Sequence, residues 1–220
     1  MNPPTHRSRA FTLIEMLVVM AVIGLLAAII LNLNGLVQSK AARTRALGEI
    51  HSLGMGCDSY KADNGSFPQD AVTDSLDPRA DGDPTSGKYK TASLTLYKQL
   101  SGDLNANGRN EPNANPPEPK SYLSDYFTPN RLGVDPNRTV GTANYVLFLK
   151  DPYGNSYGYS TMGAAAEQTY RTKVTTDATA VRTAGKGFNP TYDLWSTGGK
   201  TAAPGTSATG DVLNAWVKNW

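Results

Sequence analysis

The chain has almost none of the residues from which most active sites are assembled. Of its 220 residues, two are histidines, His6 and His51, and one is a cysteine, Cys57. A histidine-based metal centre or a Ser–His–Asp constellation needs imidazoles converging from separate elements, and this supply excludes both. A lone cysteine excludes an internal disulfide, so Cys57 reads as a small apolar residue on a helix. Charge excess is lacking too: 21 basic and 19 acidic side chains leave +2, with no polybasic stretch to grip nucleic acid. Gly199, Lys200 and Thr201 resemble the end of a phosphate-binding loop, but the glycine such a loop requires falls on Leu194. Acids, serines and tyrosines are plentiful without forming a spaced catalytic pair. Nothing here reads as an enzyme.

What is present is one long apolar run, Phe11 to Leu31, in which eighteen of twenty-one residues are apolar and the exceptions are Thr12, Glu15 and Gly24. As a helix it would span roughly 30 Å, one bilayer crossing. Its thirteen Phe, Leu, Ile and Val residues favour insertion by roughly 5 kcal/mol, against about 3 kcal/mol for burying the acid. Glu15 is therefore either a glutamate that snorkels to the headgroups at the positive end of the helix or a functional charge. An ordinary signal peptide is excluded: the apolar core is too long, and a cut after Ala28 would put Leu26 where a small residue belongs.

The frame around that acid is Arg7-Ser8-Arg9-Ala10 followed by Phe11-Thr12-Leu13-Ile14-Glu15. It resembles the processing signal of type IV pilins and of the pseudopilins of type II secretion. The resemblance implies cleavage between Ala10 and Phe11 by a prepilin peptidase, methylation of the new N-terminus, and pairing of Glu15 with a neighbouring subunit's amine. Ala10 departs from the glycine usual in the family. With Arg7 and Arg9 removed in the leader, basic and acidic side chains would balance. Two cations before the span keep the leader cytoplasmic, although Lys40, Arg43 and Arg45 follow closely enough to blunt the asymmetry.

From Asn32 to about Lys61 the pattern continues as an amphipathic helix. Leu33, Leu36, Val37, Leu47, Ile50, Gly54 and Cys57 are expected on its dry face, and Lys40, Arg43, Arg45, Glu49, His51 and Lys61 on the wet one. Gly24, Asn32, Asn34 and Gly35 are expected to bend or locally melt it. Asp63, Asn64, Gly65 and Pro68 stop it. Residues 69–137 are polar and rich in Pro, Gly, Asp and Asn, with one helical piece at 93–100 and a Pro-rich turn at 113–119. Within this stretch Asp103, Asn105, Asn107 and Gly108 match the first half of a calcium loop. Glu111 is at the ninth position, and Ala114 replaces the acid at the twelfth. The alternative is an Asn/Gly surface turn.

Strands are expected at 144–149 and 191–196, with the turn Asp151-Pro152-Tyr153-Gly154-Asn155 leading into Tyr157 and Tyr159. This order, closed by Tyr192-Asp193-Leu194-Trp195-Ser196, resembles the head of the major pseudopilins of type II secretion. The resemblance implies a C-terminal calcium loop in which Thr197 gives a carbonyl and Asp211 an acid, with Lys200 standing where another acid belongs.

The expected fold is α+β and pilin-like: a long N-terminal helix, membrane-spanning in its first half, packed on a small antiparallel sheet head with long loops. Its parts are a leader, 1–10; a membrane or filament-core helix, 11–34; the amphipathic half of the same helix, 35–64; and a head, 65–220, loop-rich to 143 and sheet-forming beyond. The implied function is that of a structural subunit of a secretion pseudopilus, with calcium the one cofactor to test. A type IV or competence pilin is the near alternative. A membrane-anchored, ligand-binding surface protein is the alternative of another class. The implied partners are prepilin peptidase, identical and minor pilin subunits, the membrane, and an inner-membrane assembly platform with a separate ATPase. The implied location is the bacterial inner membrane, crossed once with the head outside, before extraction into a filament.

Overall fold

The computed structural model describes residues 12–111, 113, 118–123, 129–182 and 186–220, with the backbone alone for 29–34 and 36. The chain divides into two compact units, Met1–Ala41 and Ala42–Trp220. Helix α1, Leu13–Asn64, begins in the first and ends in the second. It contains Gly24, Asn32, Asn34 and Gly35 in helical backbone, so none of these poor helix formers melts it. It stops where the turn residues predict. Gly65 takes the left-handed conformation at φ +81, its N–H reaches the Lys61 carbonyl at 2.8 Å, and Pro68 follows.

In the first unit the described apolar side chains face outward: Leu13 is 85 % exposed and Met20 72 %. Among the described residues no helix is long and apolar enough to cross a membrane, and the described side chains of the apolar run end at Ala28.

In the second unit α1 buries Ala46, Ile50, Leu53 and Cys57, spaced four, three and four apart as one helical stripe requires. Ile50 and Cys57 fall on the expected face, and the rest of it is corrected: Leu47 is exposed and Gly54 half-buried, with Ala46 and Leu53, their neighbours in sequence, filling the stripe instead. Glu49, expected in water, is fully buried on that stripe.

Helix α2, Ala71–Ser75, is opened by a capping box between Asp70 and Thr73. Helix α3, Gly87–Ser101, starts at the Ser86 cap and ends at Gly102 with φ +80. It is about two turns longer than residues 93–100 suggest, since Tyr89 and Ala92 continue the buried face of Ser93, Leu96, Tyr97 and Leu100. After a 3-10 turn at Pro129–Arg131, strands β1, Leu132–Val134, and β2, Val146–Leu149, pair antiparallel. Strands β3, Gly158–Ser160, β4, Asp193–Ser196, and β5, Val217–Lys218, form a second antiparallel sheet in that order. Helix α4, Met162–Thr176, lies between β3 and β4 in sequence, and α5, Gly210–Ala215, precedes β5.

The Asp151–Asn155 turn joins the two sheets. The buried Asp151 carboxylate accepts the backbone N–H groups of Tyr153 and Asn155 at 3.0 and 2.8 Å and the Ser196 hydroxyl at 2.6 Å, while Gly154 supplies the positive φ of +89. The α1 stripe packs with Tyr157, Tyr159 and Leu194 in one apolar cluster. A second cluster gathers Tyr89, Trp195 and Trp216, whose indoles stack 5.6 Å apart. Gly158 is obligatory beneath it, since a Cβ there would lie 2.1 Å from Cε2 of Trp195.

Candidate functional site

The N-terminus of α1 is closed by a side-chain clasp. The Glu15 carboxylate accepts both the backbone N–H and the hydroxyl of Thr12 at 2.8 Å, and the Glu15 N–H donates back to the Thr12 hydroxyl at 3.3 Å. This is a reciprocal capping box: Thr12 precedes the first helical residue and Glu15 is the third within it. The spacing Thr-x-x-Glu was the available signal for it, but Thr12 did not figure among the expected site residues. The clasp satisfies two otherwise orphaned N–H groups and fixes where the carboxylate sits. Ala10 and Phe11, the expected processing pair, lie outside the described residues.

The calcium candidates are placed in two separate parts of the second unit. Asp103 is fully buried, and its carboxylate accepts the Tyr97 hydroxyl at 2.7 Å and the N–H groups of Asn107 and Gly108 at 2.9 and 2.8 Å. The Asn107 side-chain oxygen accepts from the Arg109 N–H at 2.7 Å. The backbone carbonyls of Asn105 and Asn107 accept from Asn144 and Gly141. This is a hydrogen-bonded turn whose first acid, Asp103, already serves protein donors.

In the C-terminal loop the Thr197 carbonyl accepts from the Lys200 N–H at 3.0 Å, and Asp211 is exposed in the first turn of α5. Packing holds this loop. The Trp216 indole N–H donates to the Lys200 carbonyl at 3.0 Å, the Ala208 N–H donates to the Arg79 carbonyl at 2.9 Å, and Gly82 sits against Ala202 and Ala208. A calcium ion takes six to eight oxygens, several of them carboxylate. The first loop offers Asp103 and Glu111 and the second Asp211, and among the described residues no three His, Cys, Asp or Glu side chains gather as a metal site. The donor sets do not fit the ion.

Sequence reasoning also missed a buried charge cluster. Glu49 accepts the Tyr157 hydroxyl at 2.6 Å and the Arg45 guanidinium at 3.2 Å. It is in direct contact with the buried Arg131. Burial raises its carboxyl above the ordinary value, opposed by the Tyr157 hydroxyl and by Arg45 and reinforced by the Asp151 charge. The cluster ties α1 to the 3-10 turn before β1 and to the residue before β3.

Residues 5–31 match the prokaryotic N-terminal methylation motif. With a helix that opens in a Thr–Glu clasp under an outward apolar surface, and later packs on small antiparallel sheets, the chain resembles the type IV pilin-like class. Within that class it is similar to type II secretion system core protein G. It is 42% identical to the Pectobacterium carotovorum subsp. carotovorum protein over 64 residues, 29% of this chain and 40% of that one. It is 40% identical to the Escherichia coli K12 protein over 65 residues, 29% and 44% of the two chains, and 40% identical to that of Dickeya chrysanthemi over 64 residues, 29% and 41%. The chain thus spans less than half the length of the curated relatives it matches. No solved structure matches it.

Proposed function

We propose that the chain is a pseudopilin-like structural subunit of a type II secretion pseudopilus, cut between Ala10 and Phe11 by a prepilin peptidase and N-methylated at Phe11. Residues 11–34 anchor it once in the inner membrane with the head, 65–220, outside. Those residues then become filament core once an assembly platform, driven by a separate ATPase, extracts the subunit. The observation that carries this reading is Glu15 held at a defined position on a helix whose described apolar side chains are uncovered, a surface that calls for lipid or other helices. An all-apolar helix can slide along its neighbours. A fixed charge that pairs with the Phe11 ammonium of the next subunit, at about 4 kcal/mol for a 4 Å separation and an effective dielectric near 20, selects one axial offset.

Two measurements test this. Mass spectrometry of the native protein is expected to find a methylated N-terminus at Phe11, and Ala10→Leu to block the cut; a retained Met1 would overturn the reading. Glu15→Leu is expected to insert and be cleaved but to give no filaments of regular rise by electron microscopy. Normal filaments from it would remove the pairing role.

A further inference from the structure

Along α4 two adjoining open clefts, about 560 and 350 Å³, share Glu167, Arg182 and Pro190. Their lining carries Lys61, Arg79, Arg171, Arg182 and Lys186 against one carboxylate, Glu167, among the described residues. A second acid, Asp193, lies buried nearby, its oxygens taken by the N–H groups of Phe188 and Asn189 and its charge facing Arg79. The cations are held in place. Lys61 sits 4.2 Å from the Phe67 ring centre, Arg79 4.1 Å from that of Phe188, and Arg182 4.9 Å from that of Tyr170.

Between them Glu167 shows what the cleft grips. Arg182 takes both its oxygens at 3.1 Å, through Nε and Nη2, and Arg171 adds a third bond at 3.0 Å. That is the fork geometry by which guanidinium selects a carboxylate. Both arginine side chains remain largely exposed, 76% and 68%, so their outer N–H groups can meet an incoming anion.

We propose that this groove docks an acidic polypeptide segment, with Glu167 as a built-in occupant that the segment's carboxylates displace or share. The α4 face from Gly163 to Arg171 is about 12 Å long, the reach of roughly four residues of extended chain. A polypeptide suits a row of forks and ring-borne cations along a line better than a single anion does. The surface lies apart from residues 11–34, which the filament reading uses for assembly, so this proposal and that reading can fail independently.

The test uses the full chain in detergent and a fluorescein-labelled deca-glutamate peptide followed by anisotropy, with deca-lysine and phosphatidylglycerol vesicles as comparisons. Deca-glutamate is expected to bind and to be released by salt. The double variant Arg171→Ala/Arg182→Ala is expected to weaken binding by about tenfold and Glu167→Gln to tighten it by about threefold. Processing at Phe11 and the melting temperature should stay unchanged in both. Absent binding, binding indifferent to the arginines, weakening by Glu167→Gln at unchanged melting temperature, or binding to the vesicles alone would each overturn the proposal.

Discussion

The Tyr157 hydroxyl donates to the Glu49 carboxylate at 2.6 Å across 108 residues of sequence, inside an apolar core that offers the charge no water. Its stability therefore depends on completeness. Glu49→Ala leaves Arg131 buried and unpaired and is expected to cost about 3–5 kcal/mol, whereas Tyr157→Phe costs about 1 kcal/mol. The double variant Glu49→Leu/Arg131→Met, which removes both charges, should recover most of the loss. Thermal unfolding of the full chain in detergent, followed by near-UV circular dichroism of Trp195 and Trp216, separates the three.

Cys57 is wholly buried, and burial pushes its thiol far above the ordinary value of 9.0. Native protein is expected to resist maleimide at pH 7 and at pH 9 alike, and to react only on unfolding. The sign for stability follows. The folded state keeps the proton that the unfolded chain releases above pH 9, and the raised hydroxyls of Tyr89, Tyr157 and Tyr159 act the same way at still higher pH. The contribution is therefore intact below pH 9 and lost as pH rises, by up to about 1.4 kcal/mol per unit for each group. Melting temperatures measured from pH 7 to 11 should fall steadily above 9.

The Thr12–Glu15 clasp makes the helix start where it does. Thr12→Val removes the hydroxyl from both of its bonds and is expected to cost about 1 kcal/mol locally, read as roughly fivefold faster hydrogen exchange at the Glu15 amide. Thr12→Ser, which keeps the hydroxyl, should restore slow exchange.

Since neither candidate loop presents a fitting set of oxygens, the melting temperature of the full chain is expected to be the same in millimolar calcium and in chelator, and Asp211→Ala to leave it unchanged. A calcium-dependent rise would reveal a site by mass action, and its loss with Asp103→Ala or Asp211→Ala would say which loop holds it.

These outcomes track what a sequence exposes. The stop of α1 was legible because Asp63 to Pro68 is local chemistry, and so was the Asp151–Asn155 turn, which needs only its own acid and glycine. Strands β2 and β4 announced themselves by aromatic and branched residues. Glu49 was not legible, because its partners Arg131 and Tyr157 are 82 and 108 positions away and a glutamate among arginines on a helix reads as solvated. Helix α4 escaped periodicity altogether: Gly163 is its only buried residue, so there is no apolar stripe to count. The Asp103 segment shows the converse, a motif half matched locally whose acid is claimed by Tyr97 and by backbone N–H groups.

Gly163 carries a further consequence. A Cβ there would lie 1.9 Å from the Asn189 carbonyl oxygen, so α4 approaches the head most closely at that position, its first turns half-buried and packed against α2 while residues 171–176 meet solvent. Substitutions along 172–176 can therefore accumulate without disturbing the core. The last turn of the helix is a platform on which surface character can drift while the rest of the head keeps its sequence. For engineering, the exposed stretch 172–179 is the natural place to insert an epitope or fluorophore tag.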